Sequence, residues 1–177
     1  MRLLFAVLPV LALLPASVAL ADDKPAVDLV AAIVIGAADG ATWSFANGQI
    51  KGVLKETAPG AFEAPATSGS PLVQFVVTEK SKCVFDLTFS LDKQVQGGLE
   101  LDANKLKSAS YTSAAPNAGG WNDYTITVVG DKGVVQNIGT DGTMSDTDPS
   151  STLSTSLTNA DLTAAVTALQ AVCPPAP

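Results

Sequence analysis

The sequence contains no histidine. That removes the commonest general base, metal ligand and pH switch together, and with them every Ser-His-Asp or Cys-His catalytic set. Cations are scarce: Lys plus Arg number 10 against 17 Asp plus Glu, a formal charge of −7. No basic face exists to hold a phosphate backbone, so no nucleic acid is expected as a partner. Cysteine is limited to Cys83 and Cys173. Two thiolates without histidine make an incomplete zinc site. Gly97-Gly98 and Gly119-Gly120 lack the lysine and the spacing of a phosphate-binding loop and read as turns. No catalytic residue, metal or cofactor is therefore expected. What is present is apolar: 47% of 177 residues are hydrophobic, enough to build one well-packed domain and too short a chain for two comfortable ones.

The chain opens as an export signal. Met1-Arg2 is a positive start, residues 3–14 are almost wholly apolar, and Ala19-Leu20-Ala21 precedes Asp22-Asp23. This predicts a signal peptide over 1–21, cleaved after Ala21, and a single mature domain over 22–177. The apolar run falls short of the ~20 residues a membrane span needs. No stable membrane insertion is expected once it is removed, and the mature protein is expected to be periplasmic or secreted. An even cysteine count in an exported chain predicts a disulfide between Cys83 and Cys173.

Pro25 and the acidic pair before it suit a helix start, and the Ala-rich stretch 26–38 predicts a helix that Gly40 ends, with a buried strand as the alternative. Asn47-Gly48 predicts a two-residue hairpin turn that pairs Phe45 with Ile50 and Trp43 with Gly52. Trp43, Phe45, Ile50 and Leu54 then share one apolar surface. The clearest strand runs through Cys83, Phe85, Leu87, Phe89 and Leu91, all on one face. A loop Glu79-Lys80-Ser81 would set Val77 opposite Cys83 and Phe75 opposite Phe85, keeping both apolar sets on one side. Asp131-Lys132-Gly133 predicts a turn that sets Val128 opposite Gln136. Residues 113–120 and most of 139–158 read as loop. Asn159 predicts an N-cap for a last helix whose face carries Leu162, Val166, Leu169 and Cys173. Each cysteine continues an apolar face, so the helix is expected to lie over Phe85 and Leu87. The fold class predicted is α+β: an antiparallel sheet of hairpins, a helix near the start, and a C-terminal helix packed on one face and disulfide-linked to it.

With its export signal, the strand segment Lys82-Cys83-Val84-Phe85 and the terminal Ala171-Val172-Cys173-Pro174-Pro175, the chain resembles small exported proteins of Gram-negative bacteria that have no assigned function. The resemblance implies no activity and no catalytic residues. Candidate ligand contacts are few. Trp121 follows a glycine pair and is the better placed tryptophan for stacking on a ring; Trp43 reads as core. Asp141, Asp146 and Asp148 offer oxygen ligands, but their spacing does not match the regular Ca²⁺ loop, and a solvated acidic segment is the reading preferred. Asp86 is read as solvated or paired with a lysine. The function expected is that of an exported non-enzymatic domain binding an unknown protein or small-molecule partner in the cell envelope. The alternatives are a carboxylate-based hydrolase acting on saccharide, to be recognised by two converging carboxylates, and a structural envelope protein.

Overall fold

The computed structural model describes residues 24–45, 50–116, 122–146 and 150–175. The cleavage site after Ala21, the Asn47-Gly48 turn, Trp121 and Asp148 lie outside the described residues.

The first element is helix α1, Ala26–Ile35. Every residue from Asp28 to Ile35 is buried, which is why the stretch is apolar all round rather than on one stripe. It ends at Gly36, not at Gly40. Gly36 takes the left-handed conformation (φ 64°), and the N–H groups of Gly36 and Ala37 return to Ala32 and Ala31.

Twelve strands follow among the described residues, all pairing antiparallel. Thr42–Phe45 (β1), Ile50–Val53 (β2), Leu106–Pro116 (β8), Asn122–Gly130 (β9) and Ser150–Thr155 (β12) form a five-stranded sheet in the order β2-β1-β12-β9-β8. Lys55–Ala58 (β3), Ala61–Ala64 (β4), Val73–Ser81 (β5), Val84–Leu91 (β6), Gln94–Asp102 (β7), Val135–Ile138 (β10) and Met144–Asp146 (β11) form a seven-stranded sheet in the order β11-β10-β7-β6-β5-β4-β3. The expected α+β class with a disulfide-linked terminal helix is what forms, but with two sheets rather than one. The chain crosses between them at Leu54, at the 3₁₀ turn Ala103–Lys105, after β9 and again after β11.

Both sheets close on α1. The helix packs against β5 and β6 on one side and β9 on the other. Carbonyls near its C-terminal end, left without a helical partner by geometry, are satisfied from the five-stranded sheet. The Trp43 indole N–H donates to Ile35 O (3.0 Å) and the Thr155 hydroxyl to Gly36 O (2.7 Å). The Tyr111 hydroxyl donates to Ala32 O (3.3 Å), and burial pushes that phenol well above its ordinary pKa.

The Phe45–Ile50 and Trp43–Gly52 pairs are as expected. The β5–β6 register is not. Val77 pairs with Leu87 and Phe75 with Phe89. The turn is Lys82-Cys83, and a bulge between Glu79 and Ser81 restores the face that a two-residue turn alone would have reversed. Cys83 therefore sits in the turn with φ 63°, its N–H held by Glu79 (3.0 Å), rather than on the strand. β10 pairs with β7 and β11, not with β9, so Val128 does not meet Gln136. Residues 113–116 extend β8, and β11 and β12 occupy much of what reads as loop. Ser- and Thr-rich strands give a weak apolar alternation, which is why they pass for loop.

Helix α2, Asn159–Val172, is N-capped by Thr158 in a capping box with Asp161. Asn159 is free for another task. Its side chain accepts from Tyr111 N (2.7 Å) and donates to Tyr111 O (3.1 Å), and Gln170 donates to the carbonyls of Leu106 and Lys107. The helix thus hydrogen-bonds the open edge of β8. It packs on α1 and β8; α1, not α2, covers β5 and β6. The Cys83–Cys173 bond (Cα–Cα 5.5 Å) joins the end of α2 to the β5–β6 turn.

Candidate functional site

Helix α1 is too short for the sheet it covers. Ten residues of helix span about 15 Å, whereas the nine residues of β7 span about 30 Å. Past Ile35 no described helix covers the inward face of the seven-stranded sheet, and a cavity of about 450 Å³ opens there. That is within the ~300–1,000 Å³ range of small-molecule sites.

Its floor is Ile35, Trp43, Phe75 and Leu87, all buried. The Trp43 and Phe75 rings meet edge to face at 4.9 Å, and Phe75 stacks on Phe89 at 5.4 Å. Half-buried Phe89, Leu99 and Ile138 make the walls. The exposed mouth carries Gln96, Asn137, Thr143 and Ser145. Among the described residues no ionisable side chain lines it.

Two glycines shape the space. Gly97 and Gly98 lie inside β7 rather than in a turn. Gly97 pairs with Phe89 beside a bulge and has φ 138°, so that position adds no side chain to the cavity. A Cβ on Gly98 would sit 2.2 Å from Leu87 O, so only glycine lets β7 approach β6 there. The actual turn before β7 is Asp92-Lys93, both at positive φ (48° and 67°). Asp92 suits its position, but Lys93 stands where a glycine usually marks such a turn in a sequence.

Of the residues singled out in the sequence, Trp43 lies in the floor, its indole N–H donating to Ile35 O and its ring edge to face with Phe75. Asp141 is in the β10–β11 turn. It accepts from the Thr143 hydroxyl (2.7 Å) and N–H (3.0 Å), which holds its carboxyl below the usual carboxylate range. Asp146 pairs with Gln136 along the backbone. No group of three potential metal ligands occurs among the described residues.

Asp86 is not simply solvated. On the outer face of the same sheet it pairs across strands with Glu100. Lys80 binds Glu100 at 2.6 Å and stands 3.9 Å from Asp86 Oδ1, beyond hydrogen-bonding reach. That oxygen is buried without a hydrogen-bond partner. Desolvation raises the Asp86 pKa; Lys80 opposes it, and the neighbouring Glu100 adds to it. The two carboxylates belong to a cross-strand pair on a sheet surface rather than to the walls of the cavity described above. The raised pKa means that the protonated form favours the fold. Its contribution is complete below the ordinary value of 3.8 and is lost as pH rises through the folded-state value. Asp86→Asn is expected to remove that loss and to stabilise the protein at pH 7 by about 0.5–1 kcal/mol, the size of a like-charge cross-strand pair. Urea melts at pH 3.5 and pH 7 check this; a variant less stable than wild type at pH 7 contradicts it.

No family model, curated protein or solved structure matches this chain.

Proposed function

We propose that this chain is an exported, non-enzymatic domain of the cell envelope, periplasmic or secreted, that holds a small apolar ligand in the cavity beyond α1. The observation that carries the reading is the cavity itself: a buried apolar floor, half-buried apolar walls and a polar mouth, assembled from α1 and six strands. Such a space, open to water and lined by apolar groups, is stabilised when an apolar molecule replaces the water. The disulfide suits an oxidising compartment, and no described helix is long and apolar enough to cross a membrane. The leader expected over 1–21 supports the same placement.

The test is titration of the exported protein with the uncharged fluorophore N-phenyl-1-naphthylamine. Saturable, one-to-one enhancement is expected, lost in Leu99→Trp, where the indole fills the cavity. Enhancement that never saturates, or that survives in a folded Leu99→Trp protein, overturns the proposal.

A further inference from the structure

Resting on that reading, we infer that the cavity selects an uncharged ligand with an apolar body and one hydrogen-bonding head, and discriminates against the carboxylate of the same body. The geometry separates the two ends of the ligand. The floor around Phe75 and Leu87 offers dispersion contacts, and among the described side chains that form it the one polar group, the Trp43 N–H, donates to Ile35 O. A head group placed at the floor would lose its water and gain no partner, a penalty far larger for a charge than for a neutral polar group. The body therefore enters first, and the head stays at the mouth.

The mouth sets the charge. Gln96, Asn137 and Ser145 present amides and a hydroxyl, which donate to and accept from a neutral hydroxyl, amide or carbonyl. Neither lysine nor arginine lines the cavity among the described residues, so an anionic head meets no counter-charge from them. Thr143 donates its hydroxyl to Asp141, which brings a carboxylate to the rim. An anion placed beside it meets repulsion, and the whole chain is acidic, with a formal charge of −7. A site built for fatty acids or other carboxylates would carry the opposite arrangement, a cation at the mouth.

The experiment is displacement of bound N-phenyl-1-naphthylamine from the mature protein by decan-1-ol and by decanoate, at pH 7.5 in 0.05 M and 0.5 M NaCl. The two competitors share a body and differ in the head. The alcohol is expected to displace the fluorophore at a concentration at least tenfold below that needed for decanoate. The preference should persist in high salt, because the missing counter-charge is local whereas the long-range field is screened. Ile138→Trp, a cavity-filling change on a different strand from Leu99, should abolish uptake of both, with far-ultraviolet circular dichroism confirming the fold. Equal displacement, or preference for decanoate, overturns the selectivity and leaves the cavity as a binding site. Failure of wild type to take up the fluorophore overturns both proposals.

Discussion

Replacing Cys173 by Ser is expected to lower the thermal midpoint by about 10 °C or more. The bond closes a separation of 90 residues. The loop-entropy argument puts its stabilisation at up to ~4–5 kcal/mol, and a domain of this size moves by roughly 2–4 °C per kcal/mol. The structure adds a reason for the loss to fall on one region. Cys173 caps α2, and α2 hydrogen-bonds the edge of β8 through Asn159 and Gln170. Untethered, the helix frays from that end, and hydrogen exchange should quicken along residues 106–111 before it does in β5 or β6. Cys83→Gly should cost about 1 kcal/mol less than Cys173→Ser, although it breaks the same bond, because Cys83 stands at φ 63°, where glycine is free of the ~1–2 kcal/mol left-handed penalty. Scanning calorimetry of wild type and both variants, with and without reductant, decides this. Midpoints of oxidised wild type and Cys173→Ser within 2–3 °C of each other would show that the bond is idle.

The second large effect is expected at Gly60, in the β3–β4 turn. Its N–H donates to buried Asp28 on α1 (2.6 Å), and its carbonyl accepts from Val77 N on β5 (2.8 Å). This single residue therefore fastens an edge hairpin to both the helix and the sheet. It has φ 74°, and an added Cβ would lie 2.6 Å from Val77 O and 2.8 Å from Val27 Cβ. Gly60→Ala combines the left-handed penalty of ~1–2 kcal/mol with an overpacking cost of ~1–3 kcal/mol, about 2–5 kcal/mol together. Gly69→Ala separates the two terms. It has φ 91° but nothing within 4 Å of the added Cβ, so only the conformational part remains. Denaturant midpoints should fall in the order wild type, Gly69→Ala, Gly60→Ala. Equal losses at the two glycines would mean that the close approach at Gly60 carries no energy.

The β5–β6 pair shows how far the amino-acid pattern alone reaches. Alternation of Val73, Phe75 and Val77 against Phe85, Leu87 and Phe89 constrains which face each residue occupies, and that much is legible. It does not constrain the offset along the strand: the expected and observed pairings share a face and differ by a turn and a bulge. The bulge at Lys80 has no sequence marker. The β1–β2 register is readable because Asn-Gly is a strong hairpin signal; the Asp92-Lys93 turn is not, since Lys93 takes positive φ where a glycine would mark the turn. The α2 placement was misjudged because two features of the helix, its apolar face and its cysteine, were assigned to one neighbour. The cysteine meets the β5–β6 turn while the apolar face meets α1 and β8. The cavity could not be read at all. It comes from α1 and strands far apart in the chain, and its one local trace, the pair Gly97-Gly98, is what a loop would also show.

The enclosure of α1 has a kinetic consequence. Ten residues are too few for a helix that stands alone in water, where ~12–15 is the margin even for good formers. The segment is made before the strands that close it: Trp43 is 8 residues from its partner Ile35, but Tyr111 and Thr155 are 79 and 119 residues from theirs. Its apolar surface is complete only when the elements made last have arrived. Such long-range closure slows folding and prolongs the interval in which an apolar segment is open to other chains. Residues 29–35 are therefore where a chaperone would find the newly made chain most exposed, and crowding of unfolded copies would take its toll there before the terminal helix could dock.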